Sequence, residues 1–451
     1  MYKGFVVYYI IETEDQLKKF SEYDFTNCYV DVITLNDNYH PKASDISLVY
    51  IKPFRSRMGF MLSVDHTETF SLPKDVVLEF LHGKIGNIYA IDGKRLRYFV
   101  NRECDLYCVK TARYISKGDY IEESDYNTVA HRFFYQKYEN RPDINKIIPV
   151  AKHFEKYEKL ISSFKFDASW FKAKYYKLYG CLAPKVFNEI ETEGININND
   201  VFFSHYKPKN PLMSVKSDKI YTQYNMFTST GRPSNAFNGI NFGAMKKEDG
   251  SRSSFIPSKD VFIEFDYSSY HIRILAYIIG YKFEEEDIHT HLAKFYFGTV
   301  DITPEQYTES KGLTFKLLYT DSVTEELEDI PFFAKVKEFK KYLWFLYKKQ
   351  GYIESFLSKV PIKGITSKTQ VLPYILQSYE TERNILVIND ILDYLKNKIT
   401  KLVLYNYDSF LFDYSKTDGK ETVNDLRKLL EQDGYKTSCK FGYNYQEMQY
   451  I

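Results

Sequence analysis

The chain lacks several things that would narrow its function at once. It has no apolar run long enough to span a membrane, so no membrane partner is expected. Residues 1–12 lack the basic, apolar and small-residue order of a signal peptide. Its five cysteines form no CxxC pair, which argues for a reducing compartment and against a zinc site. A cytoplasmic location is therefore expected. Charge of one sign is missing too: 61 Lys and Arg stand against 60 Asp and Glu, a formal net charge of +1. Global charge does not announce a nucleic-acid binder, but an acidic metal centre can cancel a basic groove. No internal repeat or low-complexity tract is present.

What remains is a globular composition, 44% hydrophobic, and 451 residues, enough for two or three domains. Tyrosine is abundant, at 42 residues. Base-stacking surface would explain it, but an AT-rich genome gives the same bias and is the simpler account. Residues 1–115 read as a small α/β unit, with strands at 27–35, 46–51, 58–64 and 85–91 and helices at 74–81 and 93–100. Residues 116–145 read as a loop-rich connection, and 146–195 as helical. Between 197 and 220, Pro208 and Pro211 leave no room for a long helix. Helices are expected at 304–319, 332–350, 368–397 and 422–431, and strands at 402–405 and 410–414.

The chain is organised around Val261-Phe262-Ile263-Glu264-Phe265-Asp266-Tyr267-Ser268-Ser269. The β-branched and aromatic run reads as a buried strand that delivers Asp266 to its exposed end, with Ser268 capping a helix over 269–279. Alone, Asp266 reads equally as a cap or turn residue. A second carboxylate, Asp408, stands where two apolar strands join tightly, although turns favour Asp for ordinary reasons. Two such aspartates can bridge two Mg²⁺ ions for in-line phosphoryl displacement.

Anion-facing residues lie between them. Asp287 can cap a helix that carries His289, a donor for a phosphate oxygen. Lys311, Phe315 and Tyr319 fall on one helix face, offering a triphosphate contact and a stacking surface; an amphipathic helix with two core aromatics is the bland alternative. The loop Thr228-Ser229-Thr230-Gly231-Arg232-Pro233-Ser234, then Asn238-Gly239-Ile240-Asn241 and Arg252, offers backbone or minor-groove contacts, or simply a solvated loop.

In this order, the pieces resemble the polymerase core of the DNA polymerase I family (family A) over residues 165–445. The resemblance rests on Glu191 to Ile195, Thr230-Gly231-Arg232, Asp266-Tyr267-Ser268 through Arg273, Asp287 to Thr290 with Phe297-Gly298, Lys311-Phe315-Tyr319, Leu376-Gln377-Ser378 and Asp408. It implies an α+β fold: a right-hand palm of antiparallel sheet, helical fingers, a much reduced thumb and an N-terminal α/β exonuclease-like domain. The expected divisions are 1–150, 151–220 and 221–451. It implies a template-directed DNA polymerase with two Mg²⁺ ions, for which Mn²⁺ can substitute. Asp266, Asp408 and the Tyr267 carbonyl are the expected metal ligands. His289, Lys311, Phe315, Tyr319 and His271 would bind the dNTP, and Arg232, Arg252, Asn241 and Gln377 the primer–template DNA.

Departures from the family pattern carry further expectations. His271 stands where the family has a sugar-sensing Glu, which puts ribonucleotide exclusion in question. Tyr307 replaces an Arg, removing one triphosphate contact, unless Lys316 compensates. Ser409 replaces a Glu beside Asp408. The segment 196–221 is too short for the family's helical thumb, so low processivity and a processivity or replisome partner are expected. In the first domain, Ile33 and Arg97 stand at metal-ligand positions, so no proofreading is expected; Asp167 is at most a remnant. Small size and Lys/Tyr/Asn bias suggest a phage- or plasmid-like origin, hence a host cytoplasm. The competing readings are a catalytically weak primer–template binding protein and a gap-filling or ribonucleotide-tolerant polymerase.

Overall fold

The computed structural model describes residues 7–34, 40, 45–54, 56–64, 71–90, 92–100, 106–117, 176–206, 218–235, 240–284, 287–320 and 330–451. Asn238, Gly239, Asp167 and most of the 146–195 helical expectation lie outside them.

The N-terminal part is a six-stranded mixed sheet. Its strands are β1 (Val7–Ile11), β2 (Asn27–Thr34), β3 (Ile46–Pro53), β4 (Met58–Ser63), β5 (Asn87–Ala90) and β6 (Leu106–Cys108), in the order β1-β4-β3-β2-β5-β6. β2, β3 and β4 form the expected antiparallel meander. β1 and β6 add at the edges in parallel, and neither was expected. Both are brief: β1 precedes a capping-box helix, Glu14–Phe20, and β6 has three residues. The helix expected over 93–100 is only Gly93–Leu96, because Asp92 caps a single turn that then closes on Arg97.

A helix, Ala183–Glu193, leads out of this part and ends at Gly194, which has φ +68°. A Cβ there would sit 2.7 Å from the Tyr221 ring, so glycine is required. The chain then forms β7 (Ile195–Ile197), a short helix Asn199–His205, β8 (Lys219–Ile220) and β9 (Phe255–Ile256), in the order β8-β7-β9. No long helix occurs among the described residues of 196–220.

The central sheet has β10 (Val261–Tyr267) in its middle. After the small β11 (Ile353–Glu354) and β12 (Pro361–Ile362) hairpin come β13 (Lys401–Asn406), β14 (Ser409–Tyr414), β15 (Thr437–Gly442) and β16 (Gln449–Tyr450). The order β13-β14-β10-β15-β16 is antiparallel throughout. β10 is flanked on both sides and is buried except at Asp266. The fold is thus α+β, with an antiparallel sheet and long helices. The helices that serve the sheet are Tyr270–Ile278, Ile288–Phe297, Pro304–Tyr319, Pro331–Gln350, Lys368–Leu395 and Lys420–Leu430.

One correction falls beside β10. Ser268 does not cap the following helix. Its N–H bonds to Lys436 O, which prolongs sheet pairing by one residue. Ser269 is the N-cap instead, left-handed at φ 54° and without a side-chain cap bond.

The two main parts are joined by a buried ion pair. Glu191 is fully buried and accepts from Lys94 Nζ, Tyr98 Oη and the Tyr224 N–H. Burial raises its pKa, and Lys94 opposes that. Removing one partner of such a pair strands a charge and costs roughly 3–5 kcal/mol, whereas removing both costs much less. Lys94→Met should therefore lower the thermal midpoint strongly, and adding Glu191→Gln should recover most of the loss in the same melting experiment.

Candidate active site

Asp266 is the penultimate residue of β10, paired across the sheet with Ser409 and Ser438. Asp408 occupies the two-residue loop between β13 and β14, closed by the Asn406–Ser409 pair. Tyr267 N–H donates to Asp408 O at 3.0 Å, which brings hairpin loop and strand end together. Burial, Asp408 and Glu264 push the Asp266 carboxyl up to about 7, against the pull of Lys440 and Lys247. Burial and Glu380 also raise Asp408, opposed by a backbone N–H, Arg232 and His271. Neither aspartate has an ion-pair partner among the described residues. Two crowded carboxyls of this kind suit a hard divalent cation that takes one or two protein carboxylates and the rest of its oxygens from phosphate and water. No cluster of three or more His, Cys, Asp or Glu side chains suited to a metal occurs among the described residues, so a cation here would need substrate oxygens.

The loop that presents Asp408 is strained. Tyr407 has φ 65°, a region a bulky residue enters at a cost of about 1–3 kcal/mol. Arg232 holds it, with the guanidinium carbon 3.7 Å from the ring centroid, and Asn384 Nδ2 donates to Tyr407 O at 2.8 Å. Gly243 packs beneath, where a Cβ would lie 3.1 Å from both the Tyr407 ring and Asn406 Oδ1. That places the loop containing exposed Asn241 against the hairpin.

Arg232 comes from the loop whose turn is made by Gly231 at φ +71°, where a Cβ would meet Tyr179 Oη at 2.6 Å. Thr230 Oγ1 donates to Gln377 Oε1 at 3.3 Å, so Gln377 joins the same wall. Arg252 does not. It donates to Met245 O at 2.9 Å and lies over the Tyr445 ring at 5.0 Å, bracing the 242–245 turn.

The helix that carries Lys311, Phe315 and Tyr319 starts where expected, with a capping box between Thr303 and Gln306. Its buried residues are Ser310, Thr314, Leu317 and Leu318. Phe315 is 51% exposed and stacks on Tyr319 at 6.0 Å, so it is a platform rather than core. Lys340 caps the far end by donating to Leu317 O at 3.2 Å and Thr320 O at 3.5 Å. Lys311 is exposed, and its Nζ lies 4.5 Å over the Tyr307 ring. Tyr307 is edge-on to His289 and donates to Asp287 Oδ2 at 3.1 Å. It thus fills space with a ring and sets Lys311, adding no charge of its own. Lys316 is exposed but lies one residue past Phe315, about 100° round the helix.

His289 is buried on the helix that Asp287 caps, with Thr290 N–H donating to Asp287 Oδ1 at 2.7 Å. Burial pushes its pKa down to about 4. At neutral pH it would meet a phosphate as a neutral N–H donor, not a charge. Its Nδ1 is buried without a hydrogen-bond partner among the described residues.

His271 Nδ1 is 2.7 Å from Tyr319 Oη. Its Nε2 is 2.9 Å from Glu380 Oε2, which sequence reasoning missed. Glu264 was missed as well. It shares the Asp266 face of β10, two residues back, accepts from Ser409 Oγ at 2.9 Å and pairs with Lys440 at 3.6 Å. A charge interrupting an apolar strand was the available signal. For Glu380, it was the run of polar residues in mid-helix.

Comparison with known proteins bears on this arrangement. Residues 202–370 match the model of DNA polymerase family A. DNA polymerase I of Synechocystis sp. is 30% identical over 118 residues, covering 24% of this chain and 12% of that protein. This chain therefore matches only a small part of that relative's length. The POL domain of Pol1 from M. smegmatis, solved in complex with DNA primer-template and dNTP, superposes with a TM-score of 0.74 at 13% identity, over 97% of this chain and 99% of that one.

The raised carboxyl of Asp266 fixes a pH dependence. With a folded pKa near 7 against about 4 unfolded, its contribution to stability is full below pH 4 and is lost as pH rises through 7. Asp266→Asn should therefore melt higher than wild type at pH 8, by an amount that shrinks to nothing near pH 4. Adding Mg²⁺ at pH 8 should raise the wild-type midpoint more than that of the variant.

Proposed function

We propose that the protein is a template-directed DNA polymerase that adds dNTPs to a primer 3′-OH. The observation that carries this reading is the pair of part-buried carboxyls of Asp266 and Asp408, both raised in pKa, with Asp408 close enough to act on the hydroxyl of Tyr319 at the end of the helix that carries Lys311 and Phe315. When bound between the aspartates, two Mg²⁺ ions, or Mn²⁺, would supply charge neutralisation at the attacking and leaving oxygens.

The chain's own residues do the rest. Asp266 and Asp408, with the Tyr267 carbonyl, hold the cations. Lys311 screens the triphosphate and His289 donates to it. Phe315 stacks on the base, a contact worth roughly 1–3 kcal/mol and tolerant of base identity. Tyr319 and His271 wall the sugar side. Arg232, Gln377 and Asn241 would contact the primer–template, and Arg252 braces the 242–245 turn. The primer 3′-OH attacks the α-phosphate and pyrophosphate leaves.

On this reading the N-terminal sheet is an exonuclease-like fold without its chemistry. Asp31 accepts its neighbour's N–H, from Val32, at 2.9 Å. Asp92 is held down to about 2, where the pull of Lys110 outweighs burial, and it also caps Arg95 N–H. Arg95 donates to Val32 O at 2.8 Å and Thr34 Oγ1 at 3.0 Å. Cations stand where a nuclease needs carboxylates free for Mg²⁺. A thumb of long helices is absent from the described part of 196–220, so duplex grip should be weak and salt-sensitive, and a processivity partner is expected.

Primer extension with Mg²⁺ tests the reading. Asp266→Ala and Asp408→Ala should each lower the rate roughly a thousandfold, since a metal clamp supplies several kcal/mol. Wild-type rates in both variants would sink it, and tight primer–template binding without incorporation would make the chain a binding protein instead. A mismatched primer should not be trimmed in the absence of dNTP. Replacing dNTP by rNTP in the same assay reads the sugar preference at His271.

A further inference from the structure

Resting on the polymerase reading, we infer that Glu380 is the positioning residue of the nucleotide pocket: through His271 it sets the Tyr319 hydroxyl, and through Arg232 it sets the hairpin that carries Asp408.

Glu380 lies in the middle of helix Lys368–Leu395 and is 1% exposed. A carboxylate taken that far from water needs its oxygens satisfied, preferably by cations or charged donors. Two side chains meet it. His271 Nε2 lies 2.9 Å from Oε2, and the Arg232 guanidinium lies 3.4 Å from Oε2 through Nε and 3.5 Å from Oε1 through Nη2. Both oxygens are therefore occupied from the protein side. Glu380 is a poor candidate for a third metal ligand and a good one for a clamp.

The clamp acts in two directions. A ring that donates Nε2–H to Glu380 leaves Nδ1 to accept from the Tyr319 hydroxyl at 2.7 Å. One imidazole tautomer and one orientation are selected, and the end of the nucleotide helix is tied to the helix that follows β10. In the other direction, Arg232 is held flat on the Tyr407 ring at 3.7 Å, which supports the left-handed residue next to Asp408. One helical turn further on, Asn384 holds Tyr407 O at 2.8 Å. A single turn of one helix thus fixes the sugar-side wall and the metal-side loop together. The geometry makes the position of His271 depend on Glu380, a carboxylate outside the motifs on which the resemblance rests.

The experiment measures single-nucleotide extension with dNTP and rNTP in wild type, Glu380→Gln, Glu380→Ala, His271→Glu and the double variant His271→Glu/Glu380→Ala. Circular dichroism and melting establish that each is folded; if Glu380→Ala is not, Glu380→Gln carries the comparison. Loss of a charge-assisted bond predicts a KM for dNTP raised about tenfold or more in Glu380→Ala, with kcat falling less and the dNTP-to-rNTP preference shifting. Glu380→Gln, whose amide oxygen still accepts from Nε2–H, should recover most of the KM. His271→Glu alone sets two buried carboxylates face to face and should be worse than Glu380→Ala. The double variant should be better than His271→Glu alone. Wild-type KM and preference in Glu380→Ala, or a double variant no better than His271→Glu, overturns the inference while leaving the polymerase reading standing. A wild type that extends no primer overturns that reading instead. The pocket is then judged by equilibrium binding of labelled dNTP in the presence of primer–template, where equal binding by all five proteins overturns the inference.

Discussion

Five consecutive polar residues, Glu380-Thr381-Glu382-Arg383-Asn384, are buried in the middle of one helix. A helix turns about 100° per residue, so five in a row point to every side. Each must find a partner inside the protein or cost a few kcal/mol. Four of the five do, and their partners come from several pieces of the site. Glu382 takes the Leu357 and Ser358 N–H groups at 2.9 and 3.3 Å and the Ser358 hydroxyl. Arg383 donates to the hydroxyls of Tyr267 and Tyr270 at 2.8 and 3.0 Å and to Asp433 at 2.8 Å. Asn384 accepts from Tyr270 Oη at 2.6 Å and donates to Tyr405 Oη at 3.1 Å. Glu380 takes His271 and Arg232. The helix is a wiring post: β10, the helix after it, the β13–β14 hairpin and the Arg232 loop are registered to one another through it. An apolar helix of the same volume would pack, but it would not fix those pieces in angle.

The same post shapes the field. Asp266, Asp408, Glu264 and Glu380 crowd one end of the central sheet. The nearby cations are spent unevenly. Lys440 sits on Glu264 and Arg232 on Glu380, to which His271 adds an N–H donor. The structural carboxylates are thereby neutralised, and the two at the strand end and hairpin loop are left raised in pKa and short of positive charge. A site that is to hold cations must leave negative charge unpaired somewhere. Here it is left at the two positions that a strand end and a two-residue loop push toward solvent.

Much of this architecture was legible from pattern. The helix 304–319 and the strands around Asp266 and Asp408 follow from apolar periodicity and turn residues, which local physics dictates. The Lys311-Phe315-Tyr319 face follows from helical spacing as well, while the antiparallel α+β sheet was implied by the resemblance to the polymerase family. What stayed hidden were edges and partners. β1 and β6 are short and owe their pairing to a sheet assembled from distant segments. Ser268 looked like a cap because serine usually is one, but its N–H was claimed by Lys436, nearly 170 residues away. Glu380 and Glu264 were invisible as site residues because their meaning lies in what faces them across the fold. Glu191 read as the start of a motif at a helix end, and it is the anion that receives Lys94 from the other part of the molecule.

The departures from the family pattern look different once these partners are seen. His271 and Ser409 replace glutamates in motif positions, and read linearly they subtract two carboxylates from the site. In space, each sits against a carboxylate supplied from elsewhere: Glu380 receives His271 Nε2, and Glu264 receives Ser409 Oγ. Tyr307, standing for an arginine, places Lys311 by a cation–π contact in place of adding a charge. Such contacts are worth about 0.5–1 kcal/mol when exposed. Neither carboxylate adds free negative charge, since Glu380 is paired with Arg232 and Glu264 with Lys440. What a buried, pre-paired carboxylate supplies is a fixed acceptor. The cost is that its neighbours must bring their own hydrogens, and a histidine and a serine are side chains that can.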